Sequence, residues 1–284
     1  MILTFSIAFS SCEQDNAIAP DQATERASDN MRESLTPTLA KKYQLTKHGD
    51  ITLSYFEDGK LQKVTRGPLV RGGFSNYTTY AYKPNTIIAT SFKNNKRTQQ
   101  ITYLLDAKGN CYESKHADYV QIYPNPEQVV KSGFLYFYNS KGKLVLRRNS
   151  SLLNEKTDFG YDGAGNLVKI ANYAYTPGAS NATLQSESTL NYNQLGGDPL
   201  LANLYPINVE GANLPDPYLQ IFGKAGKHLV KLVSEKGSLG GKYYSYILNA
   251  DGYPTQRDTY NLDGAALTES KAYDYLVTRI GLNL

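Results

Sequence analysis

The sequence predicts an all-β chain, an antiparallel β-hairpin meander curled into an open or closed barrel-like sheet. Three observations predict it. A strand–turn–strand unit recurs along the chain. The apolar residues of that unit share one parity, as on one face of a sheet. The composition holds 24 Tyr and 23 Gly with no Trp, which suits strands joined by tight turns. Long helical periodicity is absent.

The clearest copies of the unit are Leu53-Ser54-Tyr55-Phe56-Glu57-Asp58-Gly59-Lys60-Leu61, Tyr136 to Leu144 and Phe159 to Leu167. Further copies centre on Gly49, Gly109, Gly252 and Gly264. Six residues before the turn glycine stand Leu53, Tyr103, Tyr136, Phe159 and Tyr246. Four before it stand Tyr55, Leu105, Tyr138, Tyr161 and Leu248, and two after it Leu61, Cys111, Leu144 and Leu167. This set predicts a buried face. The glycine supplies the positive φ of a hairpin turn, and the neighbouring Asp or Asn adds local hydrogen bonds. Cys111 fills a leucine slot, so it reads as a small buried hydrophobe.

Tyr77 to Tyr82 and Thr86 to Phe92 read as strands around a Lys83-Pro84-Asn85 turn, and Lys169 to Tyr175 and Leu184 to Tyr192 as another pair. Residues 196–228 break the pattern. Pro199 at a first helical position and Pro215-Asp216-Pro217 predict two short helices near 198–222, lying inside the sheet or across one end. A sheet this long must curl or be covered, because flat edges invite pairing.

The chain opens with a short apolar run, Ile2 to Phe9, followed by Ser10-Ser11-Cys12. That pattern predicts a signal peptide over 1–11 and a lipidated N-terminus at Cys12, although no Lys or Arg precedes Arg26. The run is too short to cross a bilayer as a helix. The competing reading is a chance apolar start with an ordinary cysteine. Residues 12–41 read as a polar tether, rich in acidic, amide and small residues. As a coil it would reach roughly 30 Å. Residues 42–284 form the single β-meander domain.

The Ser-Ser-Cys start, the Tyr-x-x-x-Gly-x-Leu hairpins, Phe222 to Leu229 and Tyr246 to Pro254 together resemble a family of uncharacterised Bacteroidetes lipoproteins with a porin-like β-sheet. The resemblance spans about residues 43–276 and departs at His228, where an Asn is expected. It implies an outer-membrane lipoprotein of the cell envelope, periplasmic or surface-exposed. It implies no catalytic residues. The copies around Gly142 and Gly165 also resemble the Tyr-Asp repeats of Rhs-type secreted proteins, which are far longer.

The formal charge is +4, with Lys and Arg spread along the chain, so no basic patch points to nucleic acid. His48, His116 and His228 lie far apart and fall in no metal-binding spacing. The Asp-Gly pairs lack the alternating acids of a calcium loop. No phosphate loop, nucleophile elbow or dinucleotide fingerprint is present, so neither cofactor nor metal is expected. Tyr77, Tyr80, Tyr82, Tyr243, Tyr244 and Tyr273 are the candidate ligand-binding residues, as an aromatic surface for a glycan or protein partner. The competing reading makes them half-buried strand residues. The function expected is therefore binding or structural, with a glycan-acting hydrolase or a purely structural repeat protein as the alternatives. A transmembrane barrel is the architectural rival, and the polar residues between the apolar positions speak for a sheet in water.

Overall fold

The tight turns organise the chain. A computed structural model describes residues 40–67, 76–121, 126–152, 155–174, 182–193, 200–204, 207–209, 211–223, 226–237, 240–263 and 266–280. Five turns, at 56–60, 106–110, 139–143, 162–166 and 249–253, share one hydrogen-bond pattern. The first amide donates to the fifth carbonyl and the fourth amide to the first carbonyl. The fourth residue is always glycine, with φ between 73° and 88°. In four of them an Asp or Asn at the first position accepts from backbone amides of its own turn. The Gly264 copy lies outside the described residues.

The strands are β1 (Ala40–His48), β2 (Ile51–Tyr55), β3 (Leu61–Arg66), β4 (Asn76–Lys83), β5 (Thr86–Lys93), β6 (Lys96–Leu105), β7 (Cys111–Val120), β8 (Gln128–Tyr138), β9 (Leu144–Asn149), β10 (Lys156–Tyr161), β11 (Leu167–Ala174), β12 (Thr183–Asn191), β13 (Leu232–Glu235), β14 (Gly241–Leu248), β15 (Pro254–Asn261) and β16 (Leu267–Ile280). Each pairs antiparallel with its sequence neighbours, and β1 pairs with β16 to close a sixteen-strand barrel. The parity set of the repeat faces inward. Leu53, Tyr103, Tyr136, Phe159, Leu61, Cys111, Leu144 and Leu167 are all buried in one core.

Tyrosine has a specific task here. A β-bulge interrupts the ladder beside the first residue after each tight turn, and another lies in β1. Tyrosine hydroxyls fill these interruptions. Tyr55 donates to the Leu45 carbonyl, Tyr82 to Leu61, Tyr138 to Cys111, Tyr161 to Leu144, Tyr192 to Leu167 and Tyr275 to Pro254, at 2.6 to 2.9 Å. Burial raises the phenol pKa of Tyr55, Tyr82 and Tyr161 to about 12, so all three stay neutral donors. A Phe would fill the same space and leave the carbonyl without this donor.

The segment between β12 and β13 plugs the barrel. Ile207, Ala212, Tyr218, Leu219, Ile221 and Phe222 belong to the same core as the wall. Phe222 packs against the Tyr103 and Tyr136 rings at 5.9 and 5.2 Å. The two short helices expected near 198–222 are absent from the described part of that stretch, 200–204, 207–209 and 211–222. Asp216 does accept from the Tyr218 and Leu219 amides, as a helix cap would. The carbonyls that follow bond elsewhere, however. Asn208 binds those of Asp216, Pro217 and Leu219, and the Cys111 amide binds that of Ile221 at 2.7 Å. Bonds to the wall and across the plug replace the bonds of a helix. Gly223 pairs with Lys143 of the wall, and a Cβ there would lie 2.8 Å from the Gly142 carbonyl.

Away from the tight turns the interior becomes polar. Arg66 donates to Thr78, Thr78 bonds Ser91, Gln99 donates to Asp118, Arg147 to Thr157, Thr157 to Asn172, and Asn172 to Ser186. The plug docks on this belt through Arg147, which donates to the Asn213 carbonyl.

The outer wall carries charge. Lys169 and Lys236 flank Glu187 at 2.5 and 3.4 Å, Lys156 meets Asp158 at 2.8 Å, and Lys115 meets Glu113 at 3.6 Å. These residues lie on β7, β10, β11 and β12 and just beyond β13, on the face opposite the core. Several strands are short, β13 having 4 residues and β2 having 5.

Candidate functional site

The polar inward residues include one pairing that resembles catalytic chemistry. Ser114, His116 and Asp118 sit at alternate positions of β7. The Ser114 hydroxyl bonds His116 Nε2 at 2.9 Å, which by itself resembles a nucleophile and its base. Ser114 is fully buried, however, and its hydroxyl also bonds Tyr136 at 3.0 Å. Asp118 accepts from Gln99. Burial, aided by the Arg147 charge, holds the His116 pKa below its ordinary value against the pull of Asp118. Ser114 is thus committed to a packed hydrogen-bond chain with Tyr136 and His116. Cys111 is likewise buried, its thiol pushed up to about 12 by desolvation, so it is no nucleophile.

The six candidate tyrosines separate into different environments. Tyr80 is buried and donates to Asp216 at 2.6 Å, which fastens the plug. Tyr82 donates to the Leu61 carbonyl at a bulge. Tyr244 is buried beneath the Arg257 guanidinium, and Tyr273 is buried and stacked on His48. Tyr77 lies on the outer wall, stacked on Phe92 with the Lys63 ammonium 4.3 Å from its ring centre. Tyr243 also faces outward, 5.9 Å from Tyr260. They do not form one aromatic surface. Cys12, the expected lipidation site, lies outside the described residues.

Tyr243 does line a cavity. Asn191, Leu232 and Tyr243 are aligned across β12, β13 and β14. Together with Leu200, Leu262, the 162–166 turn and His228 they border a cavity of about 960 Å³. That volume lies in the range of small-molecule sites, about 300–1,000 Å³. Two of its leucines, Leu200 and Leu262, are 46% and 41% exposed. The local sequence explains the site. β13 is only four residues long, so its ladders to β12 and β14 are short. The polar lining is partly committed. The Asp162 carboxylate accepts from the Asn166 amide and side chain, which hold its pKa below the ordinary value. Asn166 Oδ1 in turn bonds the Lys227 amide and His228 Nδ1. This cavity was not visible in the sequence, because it is assembled from residues 162 to 262 and no local motif marks it.

No protein-family model matches the chain, and no curated protein matches it. Solved structures do. A porin-like protein from Bacteroides uniformis ATCC 8492 shares 14% identity, with a TM-score of 0.55, over 83% of this chain and 96% of the other. A porin-like protein from Bacteroides vulgatus ATCC 8482 shares 15% identity, with a TM-score of 0.56, over 83% and 99%. The chain thus has the fold of these porin-like proteins, a closed antiparallel barrel.

Proposed function

We propose that the protein is an outer-membrane lipoprotein of the cell envelope, tethered through Cys12, whose plugged barrel is a binding module rather than a channel. The observation that carries this reading is the distribution of polarity. A membrane-spanning barrel turns an apolar band outward and a polar lumen inward. This barrel does the reverse over its tight-turn half, where a core of Tyr, Leu and Phe packs against an apolar plug. Its outer wall carries Lys115, Lys156, Asp158, Lys169 and Glu187, interspersed with exposed apolar residues such as Phe137, Leu184, Ile247 and Leu276 rather than forming a continuous apolar band. Each Lys at a bilayer midplane costs roughly 2–4 kcal/mol. β2, β9 and β13, of five, six and four residues, fall short of the roughly 9–11 needed to span, whereas β6, β7, β8 and β16 reach 10, 10, 11 and 14. The fold of the Bacteroides proteins supports an envelope setting, and the Ser-Ser-Cys start supports the anchor.

Ala40 at the start of β1 pairs with Ile280 at the end of β16, at the tight-turn end of the barrel. A tether from Cys12 therefore joins the barrel there. Mass spectrometry of the membrane fraction tests the anchor. The expected result is a lipid-modified peptide beginning at Cys12, lost in Cys12→Ala. An intact Met1 on soluble protein would overturn it.

A further inference from the structure

Lys and Arg are scattered along the sequence, but the fold gathers several of them on one face. We propose that the outer face of β3 to β8 docks on an anionic phospholipid surface, an assignment that rests on the envelope reading above. Elsewhere on the outer wall, cations sit against acids. Lys156 meets Asp158, Lys169 and Lys236 share Glu187, and Lys47 meets Asp274 at 3.8 Å. Over β3 to β8 the partners differ. The Lys63 ammonium lies over the Tyr77 ring, and the Arg97 guanidinium lies 3.8 Å from the Tyr119 ring centre. Lys93 and Lys96 flank the exposed β5–β6 turn, and Lys131 is exposed on β8. Among the described residues none of these five cations makes an ion pair. The acids of the face are Glu113, paired with Lys115, and Glu127 just before β8, while Asp118 turns inward to Gln99. With Lys115 included, the face carries a net charge of +4.

The strand register sets rings and cations in one row. Tyr77 pairs with Phe92, Phe92 with Arg97, and Tyr119 with Val129. The Tyr77 and Phe92 rings stack at 4.9 Å, and Val120 and Val129 at the same edge are 37% and 46% exposed. Tyrosine beside Lys and Arg suits the headgroup level of a bilayer, where a ring's apolar body and polar tip both find partners. Each cation held near an anionic leaflet adds to the affinity. A single row of this kind touches a bilayer without spanning it, which agrees with a barrel standing in water.

The test uses the full chain carrying Cys12→Ala, so that no lipid of its own holds it to a vesicle. Co-sedimentation compares vesicles of phosphatidylglycerol mixed with phosphatidylcholine against phosphatidylcholine alone, and melting temperatures show that each variant is folded. The protein should bind the mixed vesicles at low salt and leave the neutral ones free. Molar salt, which cuts the screening length to about 3 Å, should release it, as should alkali that deprotonates lysine. Lys93→Gln combined with Lys96→Gln should weaken partitioning about thirtyfold. Lys156→Gln combined with Lys236→Gln removes the same charge from the acid-paired wall and should leave partitioning nearly unchanged. Val129→Ser, or Val120→Ser should that variant fail to fold, should weaken vesicle binding and leave binding to soluble dextran sulfate unchanged. Equal binding to both vesicle types, indifference to salt, equal losses in the two lysine pairs, or no binding to mixed vesicles would each overturn the proposal. So would vesicle binding undiminished by the valine variant, the mark of a face for soluble polyanions. The anchoring reading is judged separately, by the state of Cys12.

Discussion

Replacing Tyr161 by Phe removes one oxygen from the inside of the wall. That oxygen donates to the Leu144 carbonyl at 2.9 Å, next to the bulge that joins β8 to β9. Leu144 is 3% exposed, so water is a poor substitute donor. Leaving a buried acceptor without its partner costs about 1–3 kcal/mol. The described barrel runs from residue 40 to 280. At about 2.1 cal/mol/K per residue, its unfolding entropy near the midpoint is about 0.5 kcal/mol/K. The melting temperature of Tyr161→Phe should therefore fall by about 2–6 °C. Tyr260→Phe is the control, since Tyr260 sits on the outer wall against Tyr243. It should shift the midpoint by less than 1 °C. Circular dichroism melts of both variants, with urea midpoints as a check, decide the matter. Equal shifts in the two variants would refute the assignment of the inward tyrosines as donors at the bulges.

Two further predictions concern the plug. Gly223→Ala places a Cβ 2.8 Å from the Gly142 carbonyl at a φ of 85°. It should loosen the plug and speed amide exchange at Cys111, whose amide donates to Ile221; unchanged exchange at Cys111 would count against the contact. Asp216 is fully enclosed, and desolvation raises its pKa despite the Tyr80 hydroxyl and two amides that oppose it. The folded state then holds the carboxyl proton more tightly than the unfolded chain, whose pKa is about 3.9. Its contribution is complete below that value and is lost as pH rises through the folded pKa. In urea titrations Asp216→Asn should abolish this slope, so the stability of the native chain relative to the variant should fall with rising pH. A relative stability that rises with pH would contradict the burial argument.

Local features were legible in the sequence, and long-range ones were not. The turn glycines and their Asp or Asn neighbours act within five residues, so spacing alone marked the hairpins. Parity marked Leu53, Tyr103, Cys111 and Leu167 as inward because a strand alternates strictly. Closure of the barrel is not legible in the sequence, since β1 and β16 meet across more than two hundred residues with no local signal. The helices near 198–222 were a misreading of real cap chemistry. Asp216 caps two amides, but Asn208 and the Cys111 amide take the later carbonyls.

The tyrosines were half legible. Their abundance suggested half-buried strands, and the position four residues before a turn glycine holds Tyr55, Tyr138 and Tyr161. Their acceptors lie on other strands, so only the structure shows why the hydroxyl is needed. The cavity beside β13 gave no signal, because its lining comes from six separate stretches of chain.

The proposal that this barrel stands in water rather than in lipid rests on the charges of its outer wall and on the packed core of its tight-turn half. Fractionation of cells producing the Cys12→Ala chain tests it most directly. Without its anchor the protein should leave the membrane, and it should sediment as a discrete species in detergent-free buffer. Retention in the membrane after alkaline washing, with a need for detergent to stay in solution, would show a barrel embedded in lipid and would contradict the account.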